Sequence, residues 1–173
     1  MKAATFWKIV VADRSDFLDR VVSLFDEHGI RYCVIGGQAV NAYAEPVVSL
    51  DLDIAIALDQ IPQVETLLAQ HFRVERFAHS LNVSDPGSDL RVQIQTDPRY
   101  AAFVDRATPR VVLGITLPVA DVADVLQGKI WAASDPPRRP SKRLKDLADI
   151  ARILESRPNL ATAVPDEIRA KLI

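Results

Sequence analysis

The stretch that most constrains the fold is residues 49–58, which read SLDLDIAIAL. Apolar residues alternate there with Asp51, Asp53 and two alanines, and a period of two is typical of a half-buried β-strand. Leu52 and Ile54 are therefore expected to face the core, and the two carboxylates to share the opposite face. Two carboxylates this close repel each other and resist burial. This face is therefore either solvated or holds something positive.

A pair of glycines, Gly36 and Gly37, ends the apolar run YCVI that precedes this strand. Glycine lets a backbone come close to a phosphate. The next segment, 38–44, predicts a short helix whose first N–H groups favour an anion. A plain tight turn is the alternative interpretation of the glycines. In the order strand, glycines, helix, acidic strand, the pattern indicates a phosphate and metal site, because Mg²⁺ takes carboxylates together with substrate phosphates.

The remaining periodicities predict a mixed β-sheet flanked by helices, an α/β (α+β) fold. We expect one domain over residues 1–173, with a helical C-terminal part from about residue 121. Asp121 is expected to cap the first helix of that part and Ser141 the second. The helices are predicted over 14–29, 61–72, 121–133 and 141–155, and the strands over 31–37, 73–78, 81–85, 89–96 and 110–120.

Composition excludes several classes of protein. With 173 residues and a formal net charge of -2, the chain has no global field that would attract nucleic acid or an anionic membrane. No apolar run is long enough to span a bilayer, so we expect no membrane partner. The single cysteine, Cys33, stands in an apolar run, which predicts a buried, inert thiol. The lack of a disulfide framework fits a cytoplasmic location.

Two blocks of sequence resemble a known superfamily. IGG at 35–37, followed by LDLDI at 50–54 with Ser49 before it, resembles the nucleotidyltransferase superfamily that includes DNA polymerase beta. The block 121–154 (DVADVLQGKIWAASDPPRRPSKRLKDLADIARIL) resembles the C-terminal half of its minimal members related to AbiE-type toxins. Together the resemblance covers about residues 31 to 155. It implies a nucleotidyltransferase-like fold.

The resemblance also implies a mechanism. Asp51 and Asp53 would hold Mg²⁺ or Mn²⁺ on the triphosphate of an NTP. Gly36, Gly37 and Gln38 would bind the nucleotide. A nucleoside monophosphate would then pass to a hydroxyl of RNA or of a protein partner, and pyrophosphate would leave.

Basic residues of the second block take part in this implied site. Lys129 and Lys145 would steady phosphate charge, and Asp146 would order one of them. The alternatives are that Lys129 is an exposed helix lysine and that Lys145 and Asp146 lie on a solvated helix face. On such a face Lys142 would pair with Asp146, and Lys145 with Asp149, four residues apart.

The chain departs from the superfamily pattern in two ways. Relatives often have basic residues near the acidic strand, where Val47 and Leu50 stand here, and the second departure concerns a third acid. Relatives carry a third acid on a later strand, and here the matching position is Gln93, with Gln95 next on the same face. An amide can coordinate through its carbonyl oxygen, but it cannot act as a general base. The nearest acid, Asp97, lies beyond the strand at a proline turn.

Three functions therefore remain open. The first is a metal-dependent nucleotidyltransferase that acts on RNA or protein. The second is a catalytically weak member that binds a nucleotide or a partner, such as a toxin–antitoxin component. The third is a scaffold whose acids are surface residues.

Overall fold

A computed structural model describes residues 17–172, and its centre is a seven-stranded mixed sheet. In chain order the strands are β1 (Tyr32–Ile35), β2 (Asp51–Ile56), β3 (Arg73–Arg76), β4 (Ser80–Ser84), β5 (Arg91–Gln95), β6 (Thr108–Val112) and β7 (Ile115–Val119). Their order across the sheet is β3-β4-β5-β2-β1-β7-β6. The predicted mixed sheet flanked by helices is confirmed.

Helices connect and cover the strands. They are α1 (17–27), α2 (Gly36–Asn41), α3 (Ile61–Ala69), α4 (Val122–Ser134), α5 (Pro140–Ser156) and α6 (Asp166–Arg169). A 3₁₀ helix of nine residues, Pro98–Arg106, follows β5 and is called the long 3₁₀ helix below; shorter ones lie at Leu58–Gln60 and Pro158–Ala163. None of the helices in residues 17–172 has the length and apolar character needed to cross a bilayer.

Three neighbouring strands in the middle of the sheet meet where the sequence places its acids. β1 runs antiparallel to β2 and pairs Ile35 with Asp53, whereas β5 runs parallel to β2 and pairs Gln93 with Asp53. Leu52 and Ile54 are buried, and Asp53 is only partly covered on the other face. The end of β1 and the starts of β2 and β5 thus share one edge of the sheet.

One continuous core lies between the sheet and its helices. The apolar side of α1 faces this core, and Phe17, Val21 and Phe25 have no exposure. Gly29 ends this helix in the left-handed conformation, at φ +62°. Cys33 is buried in the same core, and burial raises its pKa to about 12. The burial expected from the sequence is confirmed, and the raised pKa disfavours the reactive thiolate form.

The structure corrects the prediction for 110–120, which is a hairpin and not one strand. β6 and β7 pair antiparallel, and the turn between them has Leu113 at φ 51° and Gly114 at φ 80°. Two positive φ values in a two-residue turn match the twist of a hairpin. Leucine rarely adopts this conformation, so the apolar run conceals the turn.

The start of α5 is a second correction. Arg139 occupies the N-cap and Pro140 is the first helical residue, so Ser141 already lies inside the helix. Proline fits the first position because its φ is preset and it has no N–H to leave unpaired. At α4 the expected cap is present: the Asp121 carboxylate accepts a hydrogen bond from the backbone N–H of Ala123.

Candidate functional site

A cleft of about 350 Å³ opens at the edge where β1, β2 and β5 meet. The sheet forms its floor, and the long 3₁₀ helix, α4 and α5 contribute to its walls. Residues that line it include Gly36, Asp53, Gln93, Tyr100, Lys129 and Asp146. Three segments far apart in sequence therefore converge on the partly covered carboxylate of β2.

Gly36 is required at its position for two reasons. Its φ is +67°, which disfavours any residue with a side chain. A Cβ there would also overlap Oδ2 of Asp53 and lie 3.0 Å from the Cβ and Cγ of the same residue. A Cβ at Gly37, by contrast, would meet nothing within 4 Å. At Gly36 the backbone therefore lies directly against the Asp53 carboxylate. At Gly37 a side chain would have room.

The ionised form of the Asp53 carboxyl is disfavoured in the folded chain. Burial raises its pKa above the usual value, and the negative charge of Asp51 raises it further. Lys129 and Lys145 act in the opposite direction and do not cancel the shift. A cation next to Asp53 would relieve both penalties.

Asp51 is the more exposed member of the pair, with 45% of its side chain accessible. Arg91, its register partner on β5, places Nε 2.7 Å from Oδ1 of Asp51. Arg91 is itself well exposed, so the ion pair is solvated and of modest strength. The guanidinium can leave Asp51 at little cost.

The donor set fits a metal that arrives with a nucleotide better than one held by protein alone. Within the described chain, no group of three or more His, Cys, Asp or Glu side chains is placed to bind a metal. Mg²⁺ commonly uses one or two carboxylates and completes its shell with water and substrate phosphates. Asp51 and Asp53 are two such carboxylates, and burial together with the charge of Asp51 raises the pKa of Asp53, so a cation beside it would be favourable.

Lys129 is a buried ammonium and not an exposed helix lysine. Its exposure is 8%, and Nζ lies 2.7 Å from Oδ2 of Asp149 and 3.1 Å from Oδ1 of Asp146. Burial alone would lower the pKa of Lys129, but Asp149 and Asp146 outweigh it and hold that pKa above its usual value. Lys129 is therefore charged, and the negative charge of Asp53 also acts on it.

The two aspartates of α5 bind further cations. Nε of Arg138 lies 2.8 Å from Oδ2 of Asp146, and Nη1 of Arg152 lies 2.8 Å from Oδ1 of Asp149. Asp146 has an exposure of only 1%, so it does not lie on a solvated helix face. These ion pairs and those of Lys129 form one buried network that joins α4 to α5.

The network replaces the pairs predicted within α5. Lys142 and Lys145 are exposed, whereas the carboxylates four residues on, Asp146 and Asp149, point inward to cations of α4, of the α4–α5 loop and of α5 itself. The predicted pairs fail because the buried side of α5 carries the acids. Lys145 instead contributes positive charge at Asp53.

Gln38 is buried, and its side-chain amide is engaged by the protein. Nε2 donates to the carbonyl oxygen of Ser49 at 3.0 Å, and Oε1 accepts from Asn41 at 3.3 Å. The Asn41 side chain exchanges two hydrogen bonds with the backbone of Val47. Gln38 and Asn41 thus fix the loop that leads into β2.

The position expected for a third acid lies in the cleft and carries an amide. Gln93 is exposed and sits directly beside Asp53 in the parallel register of β5. Gln95 accepts a hydrogen bond from the backbone N–H of Asp97. The Asp97 carboxylate is bound at both oxygens by Arg99, which lowers its pKa and makes it a poor general base.

Sequence reasoning missed two features of this region. One is the ion pair between Arg91 and Asp51, which no pattern predicts without the strand register; these two side chains are not among the described residues that line the cleft. The other is the long 3₁₀ helix, which brings Tyr100 and Phe103 to the cleft. A signal for it existed, since Asp97 followed by proline is a typical helix start.

The fold is similar to solved nucleotidyltransferase structures. The complex of ANT(2")-Ia with adenylyl-2"-tobramycin matches with a TM-score of 0.59 and 14% identity, over 90% of this chain and 97% of that one. The lincosamide antibiotic adenylyltransferase LnuA, bound to lincomycin, matches with a TM-score of 0.52 and 13% identity, over 79% and 95%. An antigenic nucleotidyltransferase-like protein from Paracoccidioides brasiliensis matches with a TM-score of 0.51 and 17% identity, over 99% of this chain and 87% of that one.

Sequence comparison gives a more specific result than these fold similarities. None of the curated proteins matches the chain. The family model described as "Nucleotidyl transferase AbiEii toxin, Type IV TA system" matches residues 24–173, which include every strand of the sheet and the whole cleft. The chain therefore belongs to the AbiEii family of nucleotidyl transferase toxins of type IV toxin–antitoxin systems.

Proposed function

We propose that this chain is a metal-dependent nucleotidyltransferase that moves a nucleoside monophosphate from an NTP to a hydroxyl of RNA or protein. The observation that carries the proposal is the contact between Gly36 and Asp53. It places backbone without a side chain next to a carboxylate whose pKa is raised by burial. A metal-bound phosphate fits such a place, since it offers positive charge to the acid and oxygen atoms to the backbone N–H groups.

Asp51 and Asp53 would hold the Mg²⁺ or Mn²⁺ ion that accompanies the triphosphate. When bound, the metal neutralises charge on the triphosphate and on the departing pyrophosphate. Gly36 and Gly37 would let the backbone approach the phosphates. The acceptor oxygen would form a bond to the α-phosphorus as its proton passes to solvent water or to the departing pyrophosphate. The bond from that phosphorus to the bridging oxygen would break, and pyrophosphate would leave with the electron pair.

The two lysines have different roles in this proposal. Lys145 is exposed near Asp53 and can contact phosphate directly. Lys129 is held by Asp146 and Asp149, so it supplies a fixed positive charge at the cleft. Gln38 acts through the loop that it fixes and not through its side-chain amide, which is already hydrogen-bonded.

Gln93 supports a second candidate, a member that binds an NTP and transfers its nucleoside monophosphate only slowly. An amide beside Asp53 cannot accept the proton of the acceptor hydroxyl, and general-base terms are worth about 10²- to 10⁴-fold in rate. The weak member would act in its toxin–antitoxin system mainly by binding.

The test is transfer of label from NTPs radiolabelled at the α-phosphate to RNA, to protein and to small-molecule alcohols. The third class is included because one of the similar structures is the lincosamide antibiotic adenylyltransferase LnuA, bound to lincomycin. We expect slow transfer by the wild type, none by Asp53→Asn, and faster transfer by Gln93→Asp. Gln95→Asp is the matched control, since it adds an acid to the same face beside Ala55 and not beside Asp53. Transfer that is fast in the wild type and unaffected by Gln93→Asp would rule out the role given to Gln93.

A further inference from the structure

The cleft has a wall that the proposed phosphate chemistry does not use. It consists of Tyr100 and Phe103 on the long 3₁₀ helix and Trp131 on α4. The rings of Phe103 and Trp131 are stacked, with centroids 5.7 Å apart and planes 5° from parallel. Tyr100 packs edge-on against both, with centroid distances of 5.4 and 5.3 Å. We call these three rings the aromatic wall.

Arg99 extends the aromatic wall and is held in place from two directions. Its Nη2 lies 2.8 Å and its Nε 3.1 Å from Oδ2 of Asp97, and Nε is also 3.2 Å from Oδ1. Its guanidinium carbon lies 4.8 Å from the ring centroid of Trp131. Although fixed, the side chain of Arg99 remains 55% exposed and lines the cleft. It therefore presents a flat surface in one orientation.

The local charges indicate what this surface is suited to bind. Asp97 already neutralises Arg99 through both carboxylate oxygens, and Asp135 adds further negative charge nearby. Little positive charge is left to attract a phosphate. A flat surface without net charge suits a planar, uncharged ring, and nucleobases stack on aromatic side chains and on guanidinium planes.

We propose that Arg99, positioned by Asp97 and Trp131, is the stacking surface for the nucleobase of the incoming NTP. The inference rests on the proposed function, because it requires the triphosphate of the same NTP to lie at Asp53. Both ends belong to one cleft of about 350 Å³, which is within the usual size range of small-ligand sites.

Trp131 is a built-in reporter for the test. The sequence has two tryptophans, Trp7 and Trp131, so a Trp7→Phe background leaves Trp131 as the single indole. Fluorescence and calorimetric titrations are run with ATP, UTP and inorganic tripolyphosphate, each with Mg²⁺. We expect both NTPs to quench Trp131 and tripolyphosphate to bind without quenching. Arg99→Ala should weaken NTP binding about tenfold, a typical loss for one stacked base, and leave tripolyphosphate binding unchanged.

Arg106→Ala is a closely matched control. Arg106 lies on the same 3₁₀ helix and pairs with Asp124 at 2.8 Å; its side chain is 55% exposed and that of Asp124 15%, the same values as for Arg99 and Asp97. Arg106 is not among the described residues that line the cleft. Its partner Asp124 lines the cleft, as Asp97 does, so any effect of one unpaired carboxylate appears in both variants. We expect only Arg99→Ala to weaken NTP binding more than tripolyphosphate binding.

Other outcomes would overturn the proposal in distinguishable ways. Equal weakening of NTP and tripolyphosphate by Arg99→Ala would make Arg99 a phosphate ligand. Unchanged NTP affinity would exclude stacking of the incoming base, and if a short RNA then lost affinity the surface would serve an acceptor base instead. If neither NTP nor tripolyphosphate binds the parent protein, the proposed function fails together with this inference.

Discussion

At the residue scale, the folded chain disfavours the charged form of the Asp53 carboxyl unless a cation is near. The pKa of Asp53 is higher in the folded chain than in the unfolded chain, so the folded state is favoured while Asp53 is protonated. This stabilisation is fully present below the unfolded-state pKa and is lost as the pH rises through the folded-state pKa. At neutral pH the apo protein therefore carries a penalty. We predict that Asp53→Asn raises the melting temperature of the apo protein at neutral pH and removes stabilisation by metal and NTP.

The pH dependence provides a check on this prediction. At about pH 3 and below, under the ordinary aspartate pKa of about 3.9, the carboxyl is mostly protonated in both folded and unfolded chains, so the advantage of Asp53→Asn should disappear there. Melting curves of wild type and variant across the acidic and neutral range measure it. A variant that is less stable than wild type at neutral pH would mean that the charge of Asp53 is already compensated in the apo protein.

Gly36 and Gly37 offer a second comparison at the same scale. Gly36→Ala must place a Cβ against the Asp53 carboxylate at φ +67°, and a non-glycine residue in that conformation costs about 1–3 kcal/mol. Gly37→Ala adds its Cβ in open space. We expect urea titration to show a loss of that size for Gly36→Ala, with loss of NTP binding, and a change well below it for Gly37→Ala. Equal losses would contradict the role given to Gly36.

At the scale of elements, α4 and α5 are joined by the buried network centred on Lys129. Asp146→Ala would leave Lys129 and Arg138 without one of their acceptors. Breaking a buried ion pair on one side typically costs about 3–5 kcal/mol, and we expect a loss of that order in urea titration. Asp166→Ala is the control, because its ion pair with Arg169 is 95% exposed on the Asp166 side and should contribute at most about 1 kcal/mol. A loss as small as that of the control would show that the network is not stabilising.

The sequence was informative for elements whose pattern is local. The alternation around Asp51 and Asp53 predicted β2 and its two faces. The helix predicted over 14–29 is found as α1, and its first three residues lie outside the part of the chain that the structure describes. The hairpin at 108–119 and the buried acids of α5 were not predicted. In both cases the deciding factor was tertiary: strand pairing forces Leu113 into a turn, and Asp146 faces cations from other segments, which no periodicity within α5 reveals.

At the scale of the whole molecule, the candidate site depends on parts distant in sequence. β1 and β2 place Gly36 against Asp53, β5 places Gln93 beside it, and α4 places Lys129 at the same cleft. The sequence motifs identified these residues as candidates, but only the order of the strands in the sheet explains why they lie at one cleft. The identity of Arg99 as a cleft residue required the long 3₁₀ helix, which the sequence analysis left undetected.

The most direct test of the central claim is metal-dependent NTP binding, measured as a thermal shift. With NTP and Mg²⁺ at about one hundred times the dissociation constant, mass action should add about 2.7 kcal/mol, or roughly 5–10 °C in a chain of this length. We predict that this shift appears only when metal and NTP are both present and is abolished in the Asp51→Ala, Asp53→Ala double variant. A shift of equal size without metal, or one that persists in the double variant, would contradict the account.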